Sequence, residues 1–201
     1  EWYSKTTKDM LLNLPIPRSL GFSTMLSNVG SMRNSGFEVL LSTINLNRKL
    51  MWNSSIVFTT LRNKVLDLGG IENIISGSAG STSSIAITQV GKPVNSFYGY
   101  IIDGVWQKDD DFSQTNDLVK PGDLKFRDIN GDRVVNASDR MILGNSFPDY
   151  TWSFTNNFEY KGVQLYIFLE GVHGAKMLNN NLVDTYFPAN LKRNRFATPL
   201  L

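Results

Sequence analysis

From Tyr150 the chain reads YTWSFTNNFEY, then Lys161-Gly162, then VQLYIFLEGV. Trp152, Phe154, Phe158 and Tyr160 recur at period two, with Thr151, Ser153, Thr155, Asn157 and Glu159 between them. Such alternation is the pattern of a β-strand with one apolar and one polar face. Lys161-Gly162 is a two-residue turn, with glycine able to take the positive φ that hairpin turns require. Beyond it Val163, Leu165, Ile167 and Leu169 alternate with Gln164, Tyr166, Phe168 and Glu170. The turn sets Tyr160 opposite Val163, Phe158 opposite Leu165 and Phe154 opposite Leu169, so the apolar faces of both strands coincide. Asn156 is the exception: it falls mid-strand on the apolar face.

That face meets either a second sheet, as in a soluble sandwich, or lipid, as in a membrane barrel. Three details point to lipid. Each strand runs about ten residues, the length a tilted strand needs to cross a bilayer. Trp152 and Tyr160 stand at the strand ends, where interfacial aromatic girdles lie. The opposite face carries only Glu159 and Glu170 as charges, as a wet lumen allows. The lipid-facing set is then Trp152, Phe154, Phe158, Tyr160, Val163, Leu165, Ile167 and Leu169. Pattern alone leaves both solvents open, because a barrel signal is weak per strand.

The rest of the chain shifts the balance. Residues 1–13, with Trp2, Tyr3, Thr6 and Thr7, favour a strand, ended by Leu14-Pro15-Ile16-Pro17. Residues 18–34 read as a Ser/Gly/Asn-rich loop. A strand opens at Ser35-Gly36, but Phe37, Val39 and Leu41 lie on one face and Ile44 and Leu46 on the other, so its register stays open. Arg48-Lys49 is a short turn. Residues 50–61 form a third strand with Trp52, Ile56 and Phe58 in phase. Residues 62–149 form a long connection that includes a flexible tract, 76–84, short strands at 85–90, 97–102 and 105–106, and a turn at Pro121-Gly122. Residues 174–201 read as loop. Counted up and down, both short turns fall at one end and every long connection at the other. Outer-membrane barrels segregate their loops in this way. The reading is all-β: antiparallel strands of a large up-and-down transmembrane β-barrel, present in part, with long extracellular loops. Residues 1–201 are read as one such fragment, and 62–149 as its extracellular loop region.

Composition narrows the alternatives. The 201 residues are 41% hydrophobic and carry a net charge of +2, enough for a sizeable core and too balanced to imply nucleic acid. Lys192, Arg193 and Arg195 form one tight basic cluster, read as a solvated loop. No cysteine is present, which removes disulfide scaffolds and thiolate metal sites, and a single histidine, His173, removes His-rich zinc sites. These residues read as lacking a signal peptide, and they hold no apolar run of 18 residues.

One stretch has the spacing of a calcium loop. Asp128, Asn130, Asp132, Asn136 and Asp139 place oxygens at loop positions 1, 3, 5, 9 and 12, with the Val134 carbonyl at position 7. Hard cations need clustered oxygens. Position 6, normally glycine for the sharp turn, is Arg133, and position 12 is the shorter aspartate. The other reading is a run of Asx turns with Arg133 and Arg140 as countercharges. Asp109-Asp110-Asp111 with Asp128 and Asp132 would supply carboxylates to a glycosidase-like pair, but nothing fixes two of them across a cleft, and the chain is read as a non-enzyme.

With these pieces in place, the chain resembles the SusC/RagA family of TonB-dependent outer-membrane transporters. The matching stretches include WYSKTTKDMLLNLPIP, NVGSMRNSGFEV, GKPVNSFYGYIIDGVWQ and PGDLKFRDINGDRVVNASDRMILGNSFPDYTWSFTNNFEYKGVQLYIFLEGVHGAKM, and they cover nearly the whole chain. The family usually has glycine where this chain has Arg133. The resemblance implies a plugged barrel of about 22 strands, a lipoprotein lid of the SusD type, energy from TonB, and oligosaccharide or peptide substrates. Five of those strands would lie here, with the plug, the TonB-contacting segment and the final strand outside these residues. Phe97, Tyr98, Trp106 and Tyr150 are then the candidates for stacking on substrate, or for packing the loops on one another. The competing function is a soluble, calcium-loop-bearing carbohydrate-binding or adhesion module, which requires a second sheet over the apolar face.

Overall fold

The structure is a computed structural model that describes residues 1–15, 19, 21–22, 24–79 and 82–181. Among the described residues, the regular elements comprise twelve strands and two single-turn 3-10 helices. The chain divides into two compact units. The first holds residues 1–74, 88–94 and 145–178, and the second holds residues 75–87 and 95–144 with the segment from Asn179 onward.

The first unit is built on an antiparallel sheet. Its strands are β1 (Trp2–Pro15), β2 (Thr24–Asn47), β3 (Leu50–Thr60), β11 (Tyr150–Tyr160) and β12 (Val163–His173), hydrogen-bonded in that order. A sixth strand, β4 (Arg62–Leu68), continues beside β2 after β3 ends. The β11–β12 pairing has the register the alternation predicts: Tyr160 faces Val163, Phe158 faces Leu165 and Phe154 faces Leu169. β3 and β11 pair without a break from Leu50–Tyr160 to Thr60–Tyr150, across everything that lies between them in sequence. The turns after Asn47 and after Tyr160 therefore sit at one end of the sheet, and the long connection leaves from the other.

The undecided register of β2 is explained by a bulge. Ile44 pairs with Asn53, but Leu46 pairs with Trp52, so the extra residue, Asn45, shifts the strand by one. A one-residue shift returns side chains to the opposite face, and Leu46 rejoins Val39 and Leu41 on the apolar side. The loop expected over 18–34 is not a loop from Thr24 onward. Thr24 to Phe37 pairs with β1, and Gly30 to Ser35 also pairs with β4. The sequence NVGSMRNSG lacks alternation, so backbone pairing and not side-chain pattern holds it extended. Gly36 is required there, because a Cβ would collide with the carbonyl of Thr60.

The apolar face is exposed as expected, with Trp152, Tyr160, Leu165, Ile167 and Leu169 all open and Val163 at 72%. Phe154 and Phe158 are half-buried beside Ile56 and Trp52. Stacked pairs Trp52–Phe158 and Phe58–Tyr150, each at 5.5 Å between centroids, stitch β3 to β11, and such pairs contribute about 0.5–1.5 kcal/mol each. The other face is less polar than its sequence suggested. Leu40, Ile44, Tyr166, Phe168 and Val172 project from it and are exposed, interleaved with Ser42, Ser55, Thr155 and Asn157.

Asn156 has partners. Its Oδ1 accepts from Trp52 Nε1 at 3.0 Å and from Ser54 Oγ at 2.7 Å, and Asn45 Nδ2 donates to Ser54 Oγ at 2.6 Å. The residue is 6% exposed. A polar row thus crosses the apolar face at mid-height with its groups bonded to one another.

The second unit contains the two-stranded β8 (Ile102–Val105) and β9 (Leu124–Phe126), and strands β7 (Ser96–Gly99) and β10 (Met141–Gly144) of a further sheet. β5 (Asn73–Ala79) and β6 (Thr82–Gln89) belong to the same four-stranded sheet. Residues 76–79 and 82–84, expected to be a flexible tract, lie in these two strands. The loop reading of 182–201, including Lys192, Arg193 and Arg195, lies outside the described residues.

Asn156→Leu in the full-length protein is expected to lower stability by about 1–3 kcal/mol, because the Trp52 N–H and Ser54 O–H lose their acceptor. Adding Ser54→Ala recovers part of that loss. Urea unfolding of the folded barrel, followed by gel mobility, measures both.

Candidate functional site

Two features bear on function: the exposed apolar face of the first unit and the polar loop body of the second. The loop body is organised by carboxylates that accept from backbone N–H groups. Asp128 accepts from Gly131 N and Arg133 N, both at 2.7 Å. Asn130 Oδ1 accepts from Asp132 N at 2.9 Å, and Asp132 Oδ1 from Val134 N at 2.8 Å. Asp139 is fully buried, with Oδ1 accepting from Ile129 N and Oδ2 from Asn136 N, each at 2.8 Å. Asn136 caps the 3-10 turn Ala137–Asp139 by accepting from Ser138 N. The backbone donors of Asn136 and Ile129 hold the Asp139 carboxyl below the usual carboxylate range.

Asp128, Asp132 and Asp139 each bind a different stretch of backbone, and among the described residues no group of three or more His, Cys, Asp or Glu side chains could hold a metal ion. Arg133, at the position where a calcium loop uses glycine, takes a φ of 66°. The Asx-turn alternative describes the loop, but Arg140 is not its countercharge. Its guanidinium lies 4.3 Å over the Tyr98 ring, and Nη2 donates to the carbonyls of Tyr98, at 3.1 Å, and of Ser84. Arg140 thereby ties β6 and β7 to the start of β10, a role with no signature in the sequence.

The aromatic candidates each have their own contacts. Trp106 is 6% exposed, stacks on Phe112 at 5.4 Å and has Lys125 Nζ 4.3 Å from its ring centre. Its faces are occupied, so it is core. Tyr98 serves Arg140. Phe97 is half-buried opposite Ala86. Tyr150, in the first unit, is stacked on His173 at 4.8 Å.

A cleft of about 240 Å³ opens beside Trp106, Leu124, Arg127 and Val135. Its charges are largely matched internally: Arg127 Nε donates to both oxygens of Asp103, at 3.0 and 3.1 Å, and Lys125 pairs with Asp110 at 3.7 Å. The Arg127 hydrogen bond holds the Asp103 carboxyl low, and the Ser113 hydroxyl and N–H do the same for Asp111.

An antiparallel wall with an exposed apolar face and its two short turns at one end is the architecture of part of a transmembrane β-barrel. Comparison with known proteins agrees. TonB-dependent receptor P26 of Formosa agariphila is 34% identical over 192 residues, covering 92% of this chain and 19% of that protein. TonB-dependent receptor P3 of the same organism is 29% identical over 191 residues, again covering 92% of this chain and 19% of that protein. The chain belongs to the TonB-dependent receptors, a family of outer-membrane proteins, and spans about a fifth of the length of these curated relatives. The fold is that of the RagAB peptide transporter, with a TM-score of 0.71 at 24% identity, over 94% of this chain and 20% of that one. A second RagAB structure, in the open-open state, gives a TM-score of 0.69 at 23% identity, over 96% of this chain and 22% of that one. No protein-family model matches.

Trp106→Ala is expected to cost the loop body about 3–5 kcal/mol, read as faster proteolysis within 95–144 of the intact receptor. Asp139 gives a pH signature. Its folded pKa lies below the unfolded value, so its contribution is complete above about pH 4 and is lost as pH falls through the lower folded value. Protease protection of 95–144 should therefore hold from neutral to mildly acidic pH and fail below it. Asp139→Asn should weaken protection at neutral pH and flatten that dependence, and adding calcium or a chelator should leave it unchanged.

Proposed function

We propose that this chain forms barrel wall and outer loops of a SusC/RagA-type nutrient importer in the bacterial outer membrane, with the loops of 62–149 on the extracellular side. The importer takes up oligosaccharides or peptides, is capped by a SusD-type surface lipoprotein and is driven by TonB through parts of the receptor outside this chain. The observation that carries the reading is the uninterrupted β3–β11 ladder. It joins the wall across the insertion, and the wall's apolar face, crossed by the Asn156 row, leaves Trp152, Tyr160, Val163, Leu165, Ile167 and Leu169 exposed, which supports a lipid-facing surface. The soluble-module alternative needs a second sheet over that face, and among the described residues none covers it. RagAB, a peptide transporter, shares the fold and supports the import reading.

Within the importer the chain's role is positional. The wall holds the strand ends while the loop body, stiffened by its Asx turns and by Arg140, presents a fixed surface to substrate and lid. Phe97, Tyr98 and Tyr150 keep partial exposure and remain the proposed substrate contacts, whereas Trp106 acts as packing.

Cells expressing the intact receptor should accumulate labelled oligosaccharides or peptides only while the proton gradient that drives TonB is present, and receptor deletion should remove that uptake. Energy-independent uptake, or a receptor released from membranes without detergent, would overturn the proposal.

A further inference from the structure

We infer that the end of the sheet bearing the two short turns binds the headgroups of anionic phospholipids through Arg48, Lys49 and Lys161. This rests on the lipid-facing reading of the apolar face and adds a specific ligand at its edge. Leu50 pairs with Tyr160, and Tyr160 with Val163, so the Arg48-Lys49 and Lys161-Gly162 turns lie side by side. Neighbouring strands are about 4.8 Å apart, which puts the two turns about 10 Å from each other. All three cations are exposed, and neither ion pair found among the described residues uses them. The apolar face ends beside them in Leu46, Leu50, Tyr160 and Val163, all exposed. Lys161 Nζ lies 5.3 Å from the Tyr160 ring centre, so cation and ring share that edge.

Among the described residues, no acid on this face answers the three charges. Between Ile44 and Ser54, and between Asn156 and Phe168, the sequence holds one carboxylate, Glu159. It projects from the opposite face, where Gln164 Nε2 donates to it at 3.2 Å. The turn itself gives an independent hint. Lys161 and Gly162 have φ of 50° and 82°, the paired positive values of a type I′ turn, whose first position favours Asn, Asp or Gly. Backbone preference does not select lysine there, so its side chain is the property that suits the site.

The apolar band fixes the depth of the sheet. Cations at its margin are then held at headgroup level, with their aliphatic stems along the apolar surface and their charges among the phosphates. Zwitterionic headgroups carry their own compensating cation, so three unpaired positive charges favour lipids with net negative charge.

The test uses the intact receptor, made otherwise cysteine-free, with a fluorophore on Val163→Cys, in bilayers containing nitroxide-labelled phosphatidylglycerol or phosphatidylcholine at equal mole fraction. Attraction of an anionic surface for each nearby cation corresponds to about fivefold in local binding. Quenching by phosphatidylglycerol should exceed that by phosphatidylcholine at least about threefold, and Arg48→Gln/Lys49→Gln/Lys161→Gln should bring the ratio to about one. Folding of the triple variant is checked by heat-modifiable gel mobility, and Lys161→Arg should keep the selectivity. Equal quenching by both lipids in the parent, or selectivity unchanged in the triple variant, overturns the inference while leaving the membrane reading intact. Absence of quenching by either lipid overturns the lipid-facing reading and this inference with it.

Discussion

Hydrocarbon offers no hydrogen bonds, so every main-chain N–H and C=O of a membrane wall must be paired by another strand. The β3–β11 ladder is where that requirement bears hardest. These strands are separated in sequence by everything from Leu61 to Asp149, yet each residue from Leu50 to Thr60 has a partner in β11. The insertion can be long and elaborate because its two ends are fixed one strand apart. Loop closure also grows only slowly more costly with length, so the wall tolerates the insertion provided the ladder forms.

A ladder between distant segments must also find its register, and an oily face with uniform side chains specifies register poorly. The row of Asn45, Ser54, Asn156 and Trp52 is the feature that differs from one slipped pairing to the next. A shift of β11 by two residues would leave Asn156 beside Trp52 or Ile56 in place of Ser54, and the amide oxygen would lose at least one donor. Polar groups in an apolar surround are expensive unless paired, so the cost of a wrong register falls on this row. The stacked Trp52–Phe158 and Phe58–Tyr150 pairs flank it and add to the same register without defining it.

Much of the wall was legible because side-chain period and backbone period agree there. β11, its turn, β12 and the phase of β3 follow from alternation alone. β2 was ambiguous for a physical reason: the bulge at Asn45 changes which face each residue occupies, and a bulge leaves no reliable mark in a row of Ser, Thr, Ile and Asn. Thr24 to Asn34 was missed because backbone pairing with β1 and β4 holds it, and pairing is not written in side-chain pattern. Asn156 stood out correctly as an anomaly, but its partners come from another strand far away in sequence. In the loop body the spacing of Asp128, Asn130, Asp132 and Asp139 fits both a cation cage and a run of Asx turns. The structure adds what spacing does not carry, the backbone donors of Ile129, Gly131, Arg133 and Asn136 that Asp128 and Asp139 accept from.

The two units consequently answer to different solvents. Few large apolar side chains are buried among the described residues, chiefly Val65, Leu68, Ile87 and Trp106, so neither unit resembles a domain stabilised by a thick oily core. In the proposed importer the wall withdraws its apolar face from water by turning it to lipid. The loop body remains in water and replaces core burial with carboxylates satisfied by backbone donors, a guanidinium clamped between strands and one enclosed indole. Such a body gains little from greater hydrophobicity and loses order when a carboxylate is neutralised. Its other side chains can therefore vary wherever the backbone-binding oxygens stay in place, without altering the pairing on which the wall depends.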